Sequence, residues 1–366
     1  MIEPIRILHI VTYMGRGGLE TMIMNYYRNI DRSKVQFDFL VHREDKADYD
    51  DEIESLGGRI YRIPKLNPFS ISYLKSLDSF FREHNEYRIV HCHQDCLSSI
   101  PLKYAKKHGV TFTIAHSHNV NQDRNFKYLI KMIAKKSITK YADYLFACGN
   151  DAGKWMFNTE DFKILNNAID TNLYTYNEEI AKQIREELGI RDKFVVGHVG
   201  RFNPQKNHKF IIDVFKEIKR IENDSVLLLV GDGELRQDIE LMVSNMNLRD
   251  DIKFLGIRED VNDLMQAMDV FLFPSLYEGL GIALIEAQSS GLKCIISDTI
   301  PKDGILTDNV EYLNLNDDPK YWAKKVLDFS IGYERFELKD EIEKAGFDIK
   351  SNTKWLEEFY MKRWSV

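Results

Sequence analysis

The chain has 366 residues, of which 44% are hydrophobic and 29% charged, and its formal net charge at pH 7 is -7. This acidic balance argues against a general nucleic-acid-binding protein, because neutralising phosphates requires a basic face. No apolar run is long enough to span a bilayer. The length exceeds that of one ordinary compact core and predicts two domains.

The N-terminus and the cysteines indicate the compartment. The first residues, MIEPIRILHIV, carry Glu3 and Arg6 around their apolar stretch, so they do not have the pattern of a secretory signal. Only four cysteines occur, namely Cys92, Cys96, Cys148 and Cys294. So few cysteines in a chain of this length favour a reducing compartment without a disulfide framework. We therefore expect a cytoplasmic protein.

The two halves of the chain begin in the same way. The first half opens with the strand IRILHIV (5–11), a glycine-rich loop and an amphipathic helix. The second half opens with the strand KFVVGHVG (193–200), the loop RFNPQKNH (201–208) and another amphipathic helix. Further apolar runs alternate with helices, as buried parallel strands do; they are YRIVHCH (87–93), TFTIAH (111–116), YLFACG (144–149), VLLLVG (226–231), IKFLG (252–256), VFLFPS (270–275) and KCIIS (293–297).

These patterns predict an α/β protein of two Rossmann-like, doubly wound domains that face each other across a cleft. The alternation breaks near residues 165–176, so we place the first domain at 1–170 and the second at 171–349. Ligands of doubly wound sheets bind beyond the carboxyl ends of the strands. Residues that directly follow strands are therefore the functional candidates.

Two loops after strands have the composition of anion sites. Gly17 and Gly18 follow the first strand and let backbone N–H groups approach an anion, although a plain tight turn explains them equally well. The dinucleotide fingerprint is incomplete there. Arg201 and Lys206 lie five residues apart on the loop after KFVVGHVG, and two cations at a strand end suit a diphosphate. Ordinary surface charge is the alternative explanation.

The stretch LYEGLGIALIEAQSSG (276–291) combines a loop with the start of a helix. Glu278 lies on the loop, and the backbone amides of Leu280, Gly281 and Ile282 become donors at a helix N-terminus. Glu286 lies inside the helix among apolar residues, where a carboxylate needs a partner that offsets its desolvation. Ligand hydroxyls are one such partner, so the stretch predicts a phosphate site flanked by two hydroxyl-binding acids.

Histidines follow two other predicted strands. HCHQDC (91–96) raises a zinc hypothesis, but no second ligand cluster lies at a zinc-like distance in the sequence, so buried strand-end histidines are favoured. AHSHN (115–119) places His116 and His118 at a strand end, where each can donate hydrogen bonds or handle a proton near neutral pH. A structural role is equally compatible with them.

Taken together, these segments are similar to one family. The chain resembles the retaining nucleotide-sugar glycosyltransferases of the GT-B fold that carry E-x7-E, a family-four type, and in particular bacterial exopolysaccharide and capsule transferases. The resemblance covers nearly the whole length and depends on GGLE (17–20), VHCH (90–93), AHSHN (115–119), NNAID (166–170), VGRFNPQKN (199–207), GDGEL (231–235), FLGIREDV (254–261) and EGLGIALIE (278–286).

The resemblance implies a hexosyltransferase that uses a nucleotide-sugar, with UDP as the expected nucleotide and GDP as the alternative. It implies that Arg201 and Lys206 hold the diphosphate, that Glu286 binds the ribose and that Glu278 contacts the donor sugar. The remaining implied contacts are backbone donors and base-reading residues near the donor, Gly17, Gly18, Ile257, Arg258, Leu280, Gly281 and Ile282. His116 is implied to lie near the transferred sugar and the acceptor.

The resemblance also implies same-face attack, in which the departing phosphate helps to take the acceptor proton. The two cations and the helix-end amides suit the negative charge that develops on the leaving diphosphate. We therefore expect no cofactor and no obligatory metal. A C-terminal helix at about 350–366 is implied to return to the first domain.

Residues 124–140, RNFKYLIKMIAKKSITK, form a basic segment without an acid. Helical spacing places Lys127, Lys131 and Lys135 on one face and apolar residues on the other. Such a helix either binds anionic lipid, on the inner face of the plasma membrane, or packs with a solvated basic face. A lipid-linked saccharide acceptor would favour binding to the membrane.

Three other functions compete with a transferase. A GT-B nucleotide-sugar epimerase would act on the donor without an acceptor. A nicotinamide-dependent oxidoreductase is suggested only by the Rossmann-like pattern, and the incomplete glycine fingerprint opposes it. A non-catalytic binding module is disfavoured by the presence of Arg201, Lys206, Glu278 and Glu286.

Overall fold

The computed structural model describes residues 3–119 and 128–365, which form two compact units. Unit 1 contains the described residues up to Ala168 and those from Ile349 onward, and unit 2 contains Ile169–Asp348. Each unit is a parallel sheet with helices on both faces. The prediction of two Rossmann-like α/β domains is confirmed at the level of fold class.

The sheet of unit 1 has seven strands in the order β3-β2-β1-β4-β5-β6-β7, all parallel. The strands are β1 (Ile5–Val11), β2 (Val35–Val41), β3 (Ile60–Arg62), β4 (Ile89–Cys92), β5 (Phe112–Ser117), β6 (Tyr144–Ala147) and β7 (Lys163–Ile164). The strand order reverses at β1, which lies between β2 and β4. That point is the switch point of unit 1, where doubly wound sheets bind ligands.

The helices of unit 1 cover both faces of this sheet. They are α1 (Gly18–Asn29), α2 (Asp50–Ser55), α3 (Ile71–Glu83), α4 (Ser99–Lys107), α5 (Tyr128–Lys135), α6 (Ile138–Tyr141), α7 (Asn150–Phe157) and, from the end of the chain, α16 (Ile349–Trp364). Helix α16 buries Leu356 and Tyr360 in the same core cluster as α1. A second cluster on the other face joins α3, α4 and α7. Burying both faces explains why most strands are continuous apolar runs.

The sheet of unit 2 has six parallel strands in the order β10-β9-β8-β11-β12-β13. They are β8 (Phe194–Val199), β9 (Ser225–Val230), β10 (Ile252–Gly256), β11 (Val270–Phe273), β12 (Lys293–Ser297) and β13 (Val310–Leu313). Here the order reverses at β8, between β9 and β11. The loops after β8 and β11 therefore lie side by side at the carboxyl edge.

The helices of unit 2 again cover both faces of the sheet. They are α8 (Thr171–Tyr174), α9 (Glu178–Glu187), α10 (His208–Ile221), α11 (Arg236–Asn245), α12 (Val261–Gln266), α13 (Ile282–Ser289), α14 (Pro319–Leu327) and α15 (Lys339–Lys344). The Arg335 side chain connects α12 and α13. Its guanidinium donates to the carbonyl of Gln266 at the end of α12 and to the carbonyl of Ser290 just past α13. Cations near helix C-termini satisfy carbonyls that lack intrahelical partners.

The four cysteines and the helix lengths bear on the sequence predictions. All four cysteines are free and buried, so the prediction of no disulfide framework is confirmed. Within residues 3–119 and 128–365, no helix is both long enough and apolar enough to cross a membrane.

The basic segment differs from the helix that its spacing predicts. Helix α5 ends at Lys135, and α6 follows after a short turn. Arg124 and Lys127 lie outside the described residues. Leu129 and Ile133, on the face that packing would bury, are 69% and 62% exposed. In contrast, the ammonium of Lys135 lies 4.3 Å from the centre of the Trp155 ring. The prediction that the apolar face of this helix is buried is therefore wrong at Leu129 and Ile133, although Met132 on the same helix packs against the core of unit 1.

Candidate functional site

The loops after β8 and β11 are joined in unit 2 by a ladder of hydrogen bonds. The backbone N–H of Leu276 donates to the carbonyl of Gln205 over 2.8 Å, and the Gln205 side chain donates to the carbonyl of Tyr277 over 2.9 Å. The Asn207 side chain donates to the carbonyl of Pro274 over 3.2 Å. The turn from Pro204 to Lys206 starts under an Asn203 cap, which accepts from the Lys206 N–H. Side chains on these two loops are therefore held at fixed positions.

Lys206 and Glu278 form an ion pair across this ladder. Lys206 Nζ donates to Glu278 Oε1 over 2.6 Å, and the two side chains are only 15% and 6% exposed. Gln205 Nε2 donates to the other carboxylate oxygen over 3.2 Å. The Lys206 ammonium also lies 4.6 Å from the centre of the Phe273 ring. A shielded cation and a shielded carboxylate are thus available to one ligand that carries both phosphate and hydroxyl groups.

Glu286 lies on α13, where it is 6% exposed. Its Oε1 accepts a hydrogen bond of 2.7 Å from the Tyr174 hydroxyl at the end of α8. Burial raises the pKa of Glu286 to about 7, and the Tyr174 hydrogen bond opposes this rise. A carboxyl group with that pKa changes its ionisation state at physiological pH.

Helix α13 begins with a glycine in the left-handed region, since Gly281 has φ +76° and serves as its N-cap. A side chain there would be strained whatever the space around it. Among the described residues, no backbone or side-chain group accepts from the N–H of Leu280, Gly281 or Ile282. These three amides are arranged as at an anion-binding helix N-terminus.

Arg201 and the segment after β10 lie nearer the surface. The Arg201 side chain is 66% exposed and approaches Glu234 at 3.5 Å, so its guanidinium is available to a ligand. Arg258 donates to Asp260 over 2.7 Å, and Ile257 beside it is half exposed. The structure brings Lys206 together with Glu278, but it pairs Arg201 and Arg258 with acids outside that pair.

Unit 1 carries the other predicted residues. Gly17 is the N-cap of α1 and Gly18 its first residue. His116 lies at the end of β5 and is buried, with its Nδ1 3.1 Å from Nε2 of His91. The second ring nitrogen of His116 has no hydrogen-bond partner in the part of the chain that the structure describes. It is thus a buried polar atom that a ligand can satisfy.

His116 belongs to a larger group of buried imidazoles. The HCHQDC and AHSHN histidines lie side by side because β4 pairs with β5, with His91 opposite Ile114. Burial lowers the pKa of His9 and of His118 to about 3, and it lowers the pKa of His91, His93 and His116 well below the ordinary value. All five rings are therefore neutral at pH 7.

Sequence reasoning missed two of the residues that build the unit 2 site. Tyr174 lies in the segment TNLYTY, which was interpreted only as a domain boundary. Its contact spans 112 residues, and no local pattern signals it. Gln205 lies directly before Lys206 in the segment VGRFNPQKN. Its side chain donates to the Tyr277 carbonyl and to Glu278, and its position beside Lys206 was the signal that could have identified it.

The comparisons with known proteins agree with this geometry. Two family models match the chain, Glycosyltransferase Family 4 over residues 16–173 and Glycosyl transferases group 1 over residues 180–347. The chain is 36% identical over 366 aligned residues to the putative glycosyltransferase EpsF of Bacillus subtilis, with 95% of this chain and 94% of the relative covered. It is 25% identical to the capsular polysaccharide biosynthesis glycosyltransferase CapH of Staphylococcus aureus, with 98% and 99% covered.

A further relative and one solved structure are informative. The chain is 28% identical to the UDP-Gal:alpha-D-GlcNAc-diphosphoundecaprenol alpha-1,3-galactosyltransferase of Escherichia coli, with 81% of this chain and 80% of the relative covered. The crystal structure of Anabaena Alr3699/HepE in complex with UDP and glucose superposes with a TM-score of 0.80 at 18% identity, covering 97% of this chain and 99% of the other. At that identity the likeness shows the fold.

Proposed function

The chain belongs to the GT-B glycosyltransferases of the bacterial polysaccharide type, and from this premise we propose that it transfers a hexose from UDP to a saccharide or lipid-linked acceptor with retention of configuration. The observation that carries the proposal is the Lys206–Glu278 pair, shielded at the switch point of unit 2. The E. coli relative uses UDP-Gal, and the HepE structure holds UDP and glucose, which supports UDP as the donor nucleotide.

Each part of the donor has a complementary group in unit 2. We assign the diphosphate to Lys206 and Arg201, supplemented by the amides at the start of α13. Glu286 accepts from the ribose hydroxyls, and Glu278 accepts from a hydroxyl of the hexose. The backbone at Ile257 and Arg258 contacts the base. In unit 1, the family resemblance assigns Gly17 and Gly18 to a phosphate and His116 to the transferred sugar.

The chemical step follows from where charge develops. As the bond between the anomeric carbon and the phosphate oxygen breaks, negative charge grows on the leaving diphosphate. Lys206, Arg201 and the helix-end amides stabilise that charge, and preorganised donors of this kind supply a large share of enzymatic rate enhancement. The acceptor hydroxyl oxygen bonds to the anomeric carbon on the same face, and the departing phosphate oxygen takes the proton of that hydroxyl. The proposed step uses no cofactor and no metal ion.

Calorimetry with UDP, GDP, ADP and NAD tests the donor assignment. We expect UDP to bind wild type in the micromolar range and to lose at least tenfold in affinity in the Arg201→Ala/Lys206→Ala double variant. Lys209→Ala, on the outer part of α10, is the matched control. Binding of NAD without any nucleoside diphosphate would refute the proposal. The anomeric coupling of the product, read by NMR, distinguishes retention from inversion.

The acceptor side of the proposal includes an anionic membrane surface. Leu129 and Ile133 project from α5 one helical turn apart and are largely exposed, while Lys136 and Lys140 follow, with no acidic residue between Leu129 and Lys140 in the sequence. An exposed apolar pair beside basic residues is the pattern of a helix that lies in the lipid interface. The E. coli relative acts on a diphosphoundecaprenol-linked sugar, which supports a lipid-linked acceptor here.

Co-sedimentation with vesicles tests this surface. Wild type is expected to bind vesicles that contain phosphatidylglycerol and to bind phosphatidylcholine vesicles weakly. Leu129→Ser/Ile133→Ser is expected to reduce binding at least tenfold, whereas Ile331→Ser, at a 93% exposed position in unit 2, leaves it unchanged. Equal binding by all three proteins would remove the membrane from the proposal.

A further inference from the structure

Phe69 and Ile71 form an exposed apolar tip on unit 1, at the turn between β3 and α3. Phe69 is 72% exposed and Ile71 is 71% exposed, although both side chains are large and hydrophobic. The tip follows the carboxyl end of β3, so it lies at the same edge of the parallel sheet as the loops after β1, β4 and β5. Large apolar side chains that are exposed close together mark an interaction surface.

The turn that carries this tip is held by its own hydrogen bonds. Asn67 Oδ1 accepts from the Phe69 N–H over 3.1 Å, and the Asn67 carbonyl accepts from the Ser70 N–H over 3.0 Å. The Ser70 hydroxyl caps α3 by accepting from a backbone N–H of its first turn over 3.3 Å. On either side, Leu66 and Leu74 pack against the core cluster that joins α3, α4 and α7. The two apolar side chains therefore project from a fixed turn.

The segment around the tip is basic. From the end of α2 to residue 77 the sequence contains no acid and four cations, Arg59, Arg62, Lys65 and Lys75. Lys65 and Lys75 flank the tip and are exposed, and Lys75 lies one helical turn after Ile71 on α3. The next acid along α3, Asp78, pairs with Lys107 of α4 over 2.5 Å, so its charge is balanced. The tip is thus an apolar pair between two lysines.

The tip shares one face of unit 1 with α5. Helix α4 contacts α3, α5 and α6, and neither α4 nor the segment from α5 to α6 contains an acid. In the described part of unit 1, the exposed large apolar side chains belong to this face, apart from Met361 on α16; they are Phe69, Ile71, Leu129 and Ile133. The opposite face carries α2, and residues 44–54 there contain seven acids. Unit 1 therefore has one basic face with apolar projections.

We infer that Phe69 and Ile71 are a second membrane contact of unit 1, which enters the interface of an anionic bilayer while Lys65 and Lys75 meet its headgroups. The inference rests on the membrane surface proposed above for α5 and adds a separate contact to it. The charges select anionic lipid, because apolar side chains flanked by lysines bind such an interface. One contact leaves unit 1 free to tilt, whereas two contacts turn the carboxyl edge of its sheet toward the lipid. A lipid-linked acceptor then reaches that edge from the bilayer.

A fluorescent label on the tip tests insertion directly. All four native cysteines are buried, so the thiol of Ile71→Cys is the one that reacts with an environment-sensitive maleimide. With phosphatidylglycerol vesicles we expect its emission to shift to the blue and to be quenched by lipids that carry a nitroxide on the acyl chain. Leu129→Cys should behave in the same way, and Ile221→Cys, at a 72% exposed position in unit 2, should show neither change. A label at residue 71 that stays in water while the label at residue 129 enters lipid would overturn the inference and leave the α5 surface standing. If neither label enters lipid, the membrane part of the proposed function fails with it.

Co-sedimentation measures how much the tip contributes to binding. Phe69→Ser/Ile71→Ser is expected to weaken binding to phosphatidylglycerol vesicles at least tenfold. Lys65→Gln/Lys75→Gln is expected to weaken it about tenfold at low salt and less at high salt. These four positions are exposed, so both variants should keep the melting temperature of wild type, and Ile221→Ser should keep both properties. Binding of Phe69→Ser/Ile71→Ser equal to that of wild type would overturn the inference, whatever the α5 variant shows.

Discussion

The Tyr174 hydroxyl donates a 2.7 Å hydrogen bond to Glu286 Oε1 and thereby connects α8 to the helix that carries the proposed ribose ligand. Glu286 has a pKa of about 7 because burial penalises its charged form. The Tyr174 hydrogen bond favours the charged form and keeps that pKa from rising further. The ionisation of Glu286 therefore depends on Tyr174, and we expect the affinity for a ribose to depend on it as well.

UDP binding is expected to strengthen as the pH rises from 6 to 8. Ionised Glu286 is the form that accepts from two ribose hydroxyls, and with a pKa of about 7 its ionised fraction increases about tenfold over this range. Calorimetry at constant ionic strength measures the effect. Glu286→Gln should bind UDP more weakly and show only the pH dependence of the nucleotide itself. The same slope in both proteins would contradict the assignment.

Tyr174→Phe extends this test. Removing the hydroxyl takes away a hydrogen bond that stabilises the carboxylate, so the midpoint of the binding curve should move to higher pH while binding at pH 9 recovers. Tyr176→Phe, two residues along the chain, is the matched control. A uniform loss of affinity at every pH would instead indicate that Tyr174 only supports the packing of α8.

Glu286 should also destabilise the folded protein at alkaline pH. Its folded pKa of about 7 lies above the ordinary value of 4.5, so the folded state holds the proton more tightly. The associated stability is complete below pH 4.5 and is lost as the pH rises through 7, by roughly 3 kcal/mol. Urea unfolding of wild type and Glu286→Gln at pH 5 and pH 8.5 measures it. The difference in unfolding free energy should shift in favour of the variant at pH 8.5, and a constant difference would contradict the sign.

Substitutions of Lys206 and Glu278 are expected to have non-additive effects on the free energy of unfolding and different effects on the affinity for UDP. Removing either partner leaves the other charge shielded and unpaired, so the double variant Lys206→Met/Glu278→Gln should be more stable than the two single losses predict, by about 0.5–3 kcal/mol. Lys206→Met should weaken UDP binding at least tenfold.

Glu278→Gln should not weaken UDP binding, because it releases the ammonium to the phosphates, but it should abolish transfer if Glu278 contacts the sugar. A double-mutant cycle by urea unfolding, together with calorimetry, checks both parts. Additive stability losses would show that the 2.6 Å contact contributes nothing net.

The site illustrates what one sequence can predict. The loops that carry Lys206 and Glu278 were identified because both directly follow apolar strands, and the strand order places them side by side. Their contact spans 72 residues and Tyr174 lies 112 residues from Glu286, so neither pairing leaves a local signal. The histidine cluster was divided into two unrelated motifs for the same reason.

The strands show the same limit. Those with continuous apolar runs were predicted, but β2 was not, since Gln36 and Asp38 interrupt the run VQFDFLV. Both residues are nonetheless buried. The Tyr27 hydroxyl bonds to Gln36 over 2.6 Å, and Asp38 accepts from Arg6. These partners lie on other elements. A prediction from neighbouring residues in the sequence therefore treats Gln36 and Asp38 as exposed polar residues.

Asp38 is accordingly expected to be among the most sensitive positions of unit 1. Its carboxylate is fully buried and accepts from Arg6 Nε over 2.6 Å, from the Arg59 N–H over 2.7 Å and from the Tyr87 hydroxyl over 2.7 Å. Asp38→Ala leaves all three donors without this acceptor, so we expect a loss of about 3–5 kcal/mol in unfolding free energy. Asp31→Ala is the matched control, because its partner Lys34 is half exposed and surface pairs contribute about 0–1 kcal/mol. Equal unfolding free energies of the two variants would show that water can replace the Asp38 carboxylate as the partner of Arg6. The apolar residues of β2 would then be sufficient to stabilise that strand.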